Sequence, residues 1–156
     1  MTITISNRQR TKKINVRLLK LIVNEFFAEL KIKEGELGIN FVAAKEMAEV
    51  NRQFLQHEGS TDVITFNYSG ETAGRILSGE LFVCVDEAVL QAKQFKASWQ
   101  SEIVRYTIHG ILHLLGHDDL RAEARRKMKR EENLLLRKLS KKFSLAQIGG
   151  GSKLRT

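Results

Sequence analysis

Residues Thr2-Ile3-Thr4-Ile5-Ser6 alternate polar and β-branched side chains, which predicts a short half-buried strand. After a basic stretch from Arg8 to Lys13 the period changes. Ile14, Leu18, Leu21 and Ile22 recur at helical spacing and predict a helix running to about Leu30. Gly35 and Gly38 punctuate the entry to a second strand over Leu37 to Val42, and Lys45 to Gln56 predicts a helix with Met47, Val50 and Phe54 turned inward. Thr61 to Tyr68 and Glu80 to Val85 predict two further strands. The segment between them, Ser69 to Gly79, carries three glycines and suits a hairpin connection. Asp86 is the expected N-cap of a helix from Glu87 to about Lys96, Ser98 opens the next, and a last helix spans Arg121 to Lys142. From Gln147 onward the chain reads as a flexible glycine-rich tail, leaving 1–146 as one domain.

The helix opened by Ser98 holds the chemistry. Three of four histidines lie in the run His109-Gly110-Ile111-Leu112-His113-Leu114-Leu115-Gly116-His117-Asp118-Asp119. His109 and His113 are four apart, so on a helix two imidazoles share one face and can reach a single ion. Gly116 breaks the helix, and the returning backbone can bring a third ligand from six residues past His113, which is Asp119. Apolar neighbours Ile103, Tyr106, Ile108, Ile111, Leu112, Leu114 and Leu115 surround the histidines, which predicts a central, rigid metal helix. Buried imidazoles without a ligand would leave ring nitrogens unpaired, whereas a lone histidine such as His57 suits an ordinary core position. Asp118 and Asp119 also suit the start of the following helix, and His117 is an alternative third ligand. Zinc proteases carry a glutamate directly after the first histidine as general base, and here that position is Gly110, which makes peptide hydrolysis a minor alternative.

Composition narrows the setting. A chain of 156 residues, 42% hydrophobic, suits one core. The single Cys84, within Leu81-Phe82-Val83-Cys84-Val85, reads as a buried strand residue in a reducing compartment. The chain shows neither a leader nor a membrane-spanning stretch, so a cytoplasmic protein is expected. A formal charge of +8 favours a polyanionic partner, although a solvated basic surface explains the charge equally well. The positive residues concentrate around Arg8 to Arg17 and from Arg125 to Lys141, the latter interrupted by Glu131 and Glu132.

The histidine run resembles the YbeY family of bacterial single-strand-specific metallo-endoribonucleases, with the pattern His-Gly-x-Leu-His-Leu-x-Gly-[His/Tyr]-Asp-His. A second segment is similar too, from Asn51 through Ser60-Thr61-Asp62-Val63-Ile64-Thr65-Phe66 to Ser78-Gly79-Glu80-Leu81. The resemblance implies an α/β fold of one compact domain, a small mixed four-stranded sheet packed with about five helices. It implies one divalent metal ion, zinc by its donor set, held by His109, His113 and Asp119, the last standing where the family usually has histidine. It implies hydrolysis of single-stranded RNA in 16S rRNA 3′-end maturation and ribosome quality control, with rRNA and ribosomal particles as partners and neither a membrane nor a nucleotide cofactor. The arginine that many members carry six residues before the threonine falls on Leu55 here, and Arg52, one helical turn earlier, is either a partial substitute or an ordinary solvated surface arginine. No catalytic residue beyond the metal ligands is assigned. The competing reading is a non-catalytic ribosome-associated RNA-binding protein with a structural metal site.

Overall fold

The computed structural model describes residues 1–56, 59, 61–69, 76–117 and 120–150. Strands β1 (Thr2–Asn7), β2 (Glu34–Val42), β3 (Val63–Asn67) and β4 (Ile76–Cys84) form one sheet in the order β1-β2-β4-β3. The β1/β2 and β2/β4 pairs are parallel and β3/β4 is antiparallel, so the sheet is mixed as expected. Five α-helices accompany it among the described residues: α1 (Val16–Glu29), α2 (Ala44–Val50), α3 (Val85–Gln94), α4 (Trp99–Leu114) and α5 (Ala122–Lys142).

Alternation along the strands divides the apolar residues between two faces. Leu37, Ile39, Phe41, Leu77, Leu81 and Val83 join the main core with α1, α4 and α5. Val42, Ile64 and Cys84 form a smaller cluster with Met47 and Val50 of α2. Cys84 is fully buried there. Helix α4 lies between the sheet and its helical neighbours, touching β3, β4, α3 and α5, and this central position makes it a rigid platform.

Several expectations change in three dimensions. Asp86 does not cap its own helix, because α3 begins at Val85. Its carboxylate instead accepts from Ala44 N–H at 2.6 Å and caps the first turn of α2. Leu21 is 53% exposed, since α1 buries the stripe of Leu19, Ile22, Val23, Phe26 and Phe27, which lies on the other side of the helix. The predicted helix 45–56 is a short α2 followed by a π-helical turn, Asn51–Leu55. The wider turn carries Phe54 outward to 57% exposure, edge-on to Phe66 at 5.4 Å. Residues 147 and 148, expected to start the tail, belong to a 3-10 turn, Leu145–Gly149. Ile148 is fully buried and its carbonyl accepts from Asn15 N–H at 2.8 Å, so an apolar side chain docks this segment. Among the described residues no helix is long and apolar enough to cross a membrane.

Candidate metal centre

Ser98 caps α4 as expected, its hydroxyl oxygen accepting from Ser101 N–H at 3.1 Å. From that start, His109 and His113 emerge on one side of the last two turns, ring centroids 4.8 Å apart and planes inclined by 70°. The helix closes with paired reverse bonds. Gly116 N–H donates to the His113 carbonyl and His117 N–H to that of Leu112, both at 3.0 Å, with Gly116 at φ +101°. This left-handed turn fits glycine and directs the chain away from the helix axis immediately after the second histidine.

Gly110 has a packing reason. A Cβ there would stand 2.8 Å from Leu81 Cδ2 and 3.3 Å from Val63 Cγ2, so the absence of a side chain lets α4 rest directly on β3 and β4. The position that holds a protease's glutamate is thus turned toward the sheet, and the histidines occupy another face.

His109 and His113 line a recess of about 310 Å³ together with Leu55, Asp62, Val63, Ile64 and Thr65. The Thr61-Asp62-Val63 segment and the histidine run, far apart in sequence, therefore converge on one site. Asp62 Oδ1 is itself held by Val63 N–H at 2.7 Å. Behind the recess, Glu132 of α5 is 5% exposed and its Oε2 accepts from His109 Nδ1. Arg105 supports the same carboxylate, 3.6 Å from Oε1, while its Nε lies 3.5 Å from Glu102 and its Nη1 donates to Asn133 at 2.9 Å. A carboxylate accepting at Nδ1 places the imidazole proton there and leaves the lone pair on Nε2, the arrangement that makes histidine a directed metal ligand.

Sequence reasoning missed Glu132 and Arg105. The buried residues of α5 are Met128, Glu132, Leu135 and Leu139, spaced four, three and four apart. A carboxylate in the apolar seam of an amphipathic helix was the available signal, since a charge there needs a buried partner. Replacing Glu132 with alanine should lower metal affinity or metal-dependent activity by about 10- to 100-fold. Competition against a chelating dye checks this, and an affinity equal to that of the unmodified protein would deny Glu132 a positioning role.

His109 and His113 are brought together as expected. Asp119 and Asp118 lie outside the described residues, as does His57. The position capping α5 is Arg121. His117 lines a different recess, with Leu115, Gly116, Ala124 and Lys127. Arg52 pairs with Glu49 at 2.6 Å on the exposed surface, whereas Leu55 reaches the recess. Among the described residues no group of three or more His, Cys, Asp or Glu side chains is arranged to hold an ion. Two imidazoles one turn apart, one of them oriented by a buried carboxylate, do fit a divalent ion of zinc type once a third donor joins them.

The sequence matches the family model described as Endoribonuclease YbeY over residues 4–140. It is 36% identical over 137 residues to the endoribonuclease YbeY of Chlorobium phaeovibrioides, spanning 88% of this chain and 90% of that protein. Identity to the Bacteroides thetaiotaomicron endoribonuclease YbeY is 43% over 102 residues, 65% of this chain and 72% of that one. The solution structure of TM1509 from Thermotoga maritima shares the fold, with a TM-score of 0.68, 22% identity and 99% of each chain covered.

Proposed function

The chain belongs to the endoribonuclease YbeY family, and on that premise we propose that it is a metal-dependent endoribonuclease acting on single-stranded RNA. The observation that carries this reading is the convergence of His109, His113 and the Asp62 segment on one recess, with Glu132 orienting His109 from behind. His109, His113 and Asp119 are proposed to hold the ion. When bound, a divalent metal supplies Lewis acidity toward a phosphoryl oxygen and lowers the pKa of water. The protein's own contribution is to fix that geometry. Glu132 keeps the proton on Nδ1, Arg105 compensates the buried carboxylate, and Asp62 adds an acidic group to the lining of the recess. The biological substrate in this proposal is the 3′ end of 16S rRNA on ribosomal particles in the cytoplasm, supported by family membership and by the net charge of +8.

The test is cleavage of labelled single-stranded and duplex RNA by protein stripped of metal and then given zinc or manganese. Cleavage confined to single strands and restored by metal is expected, and a failure to cleave under every metal condition would reject the enzyme reading. Product ends separate the two attacking groups: a 5′-hydroxyl with a 2′,3′-cyclic phosphate, or the open phosphate it hydrolyses to, marks the ribose hydroxyl expelling the 5′-oxygen, and a 5′-phosphate with a 3′-hydroxyl marks water expelling the 3′-oxygen. Asp119→Ala should release the ion and His117→Ala retain it.

Leu55 favours a second reading. An apolar side chain lines the recess where the family resemblance places an arginine, and it can neither pair with a phosphate nor stabilise its charge. If the protein binds single-stranded RNA and retains its metal without cutting, it is a ribosome-associated binding protein. Leu55→Arg would then be the substitution expected to confer cleavage.

A further inference from the structure

A second, larger concavity of about 630 Å³ opens beside the histidine recess, between α3, α4 and α5, and His109 and Asp62 line both. Its floor includes Tyr106 and Met128, and Phe95, Arg125 and Lys129 stand along it. Phe95 is 68% exposed, although it directly follows the last turn of α3. Its position is fixed by the backbone. Phe95 N–H donates to the Gln91 carbonyl at 2.9 Å, Ala97 N–H closes back to Ala92 at 2.9 Å, and Lys96 takes the left-handed conformation at φ +54°. Arg105, the third cation here, pairs with Glu102 and Glu132, while Arg125, whose Nη1 donates to the Leu120 carbonyl at 3.4 Å, and Lys129 bring two further positive charges to the lining. Burial, reinforced by the charges of Asp62 and Glu102, raises the Tyr106 pKa and keeps its phenol neutral.

An exposed, backbone-anchored aromatic ring lining one groove with two cations is a combination that binds a single-stranded nucleic acid, with the base on the ring and the phosphate on the cations. We propose that this groove is the subsite for the nucleotide next to the scissile phosphate, with its base stacked on Phe95 and its backbone held by Arg125 and Lys129. The proposal rests on the reading of the histidine recess as an RNA-cleaving centre and adds a reason for single-strand selectivity. A paired base is stacked within its duplex and cannot lie on Phe95, whereas an unpaired base can turn out into the groove. Because every base offers a π-face, the subsite tolerates sequence and selects for strandedness.

The experiment measures binding by full-length protein carrying His113→Ala, so that affinity is read without cleavage. The probe is a short single-stranded RNA containing 2-aminopurine, compared with the same strand in a duplex. Adding Phe95→Ala should weaken single-strand affinity roughly tenfold, leave duplex affinity unchanged and abolish the quenching of 2-aminopurine, while Phe95→Tyr retains both affinity and quenching. Replacing Arg125 and Lys129 with glutamine should reduce the salt slope for the single strand by about 1.4. Unchanged affinity and quenching in Phe95→Ala, while the unmodified enzyme still cuts single-stranded RNA, would overturn the subsite alone. If the unmodified protein neither cuts nor binds single-stranded RNA, the RNA reading and this subsite fall together.

Discussion

His113→Ala should lose its divalent ion and, with it, RNA cleavage by more than about 100-fold, the upper figure for losing only an outer-shell partner of a metal ligand. The expectation follows from the geometry of α4. His109 and His113 project from successive turns with centroids 4.8 Å apart, and among the described residues they are the two imidazoles of the recess. Removing His113 leaves His109 without its neighbour one turn on, and the ordering of His109 by Glu132 cannot replace a missing donor. His113 is half-buried at the end of the helix, so its truncation should leave the core standing. Metal content measured after gel filtration, cleavage of single-stranded RNA and the thermal unfolding midpoint together check this. A folded His113→Ala protein that still cleaves at the original rate would remove the histidine pair from the mechanism.

Gly110→Glu, which would complete the His-Glu-x-x-His pattern of a zinc protease, should unfold the protein rather than confer proteolysis. The first added carbon already stands 2.8 Å from Leu81 Cδ2, and Leu81 is fully buried between the sheet and α4. Alanine at this position gains about 1 kcal/mol of helix propensity and loses about 1–3 kcal/mol to overpacking, so Gly110→Ala should be mildly destabilising. A glutamate adds a charged group to the close contact between α4 and the fully buried Leu81, a desolvation cost of several kcal/mol. Chemical denaturation of the two variants is the check. A Gly110→Glu midpoint matching that of the unmodified protein would mean that α4 can lift from the sheet, and the close contact would lose its significance.

The parts legible in sequence were those set by local periodicity. Four strands, the helices, the cap at Ser98, the buried Cys84 and the turn at Gly116 follow from neighbours a few residues away. Errors arose where a side chain chose between a local and a distant partner. Asp86 had the composition of an N-cap for α3 but accepts from Ala44, because β2 and β4 are adjacent and deliver the starts of α2 and α3 to the same end of the sheet. Leu21 and Phe54 matched an inward period and point outward, one on the wrong side of its helix and the other rotated by a π turn.

By itself the sequence determined that His109 and His113 share one helix face, because side chains four residues apart need only the helix that their own segment forms. It also determined the family, since the second motif is written contiguously from Thr61 to Phe66. Only the tertiary structure decided that Asp62 faces those histidines, that Glu132 of α5 holds His109, and that Phe95 stands over a groove continuous with the recess. These contacts join residues 23 positions apart in the case of His109 and Glu132. They depend on how α4 seats against β3, β4 and α5, a packing that the fit of Gly110 and the seam of α5 select collectively and that no single segment encodes.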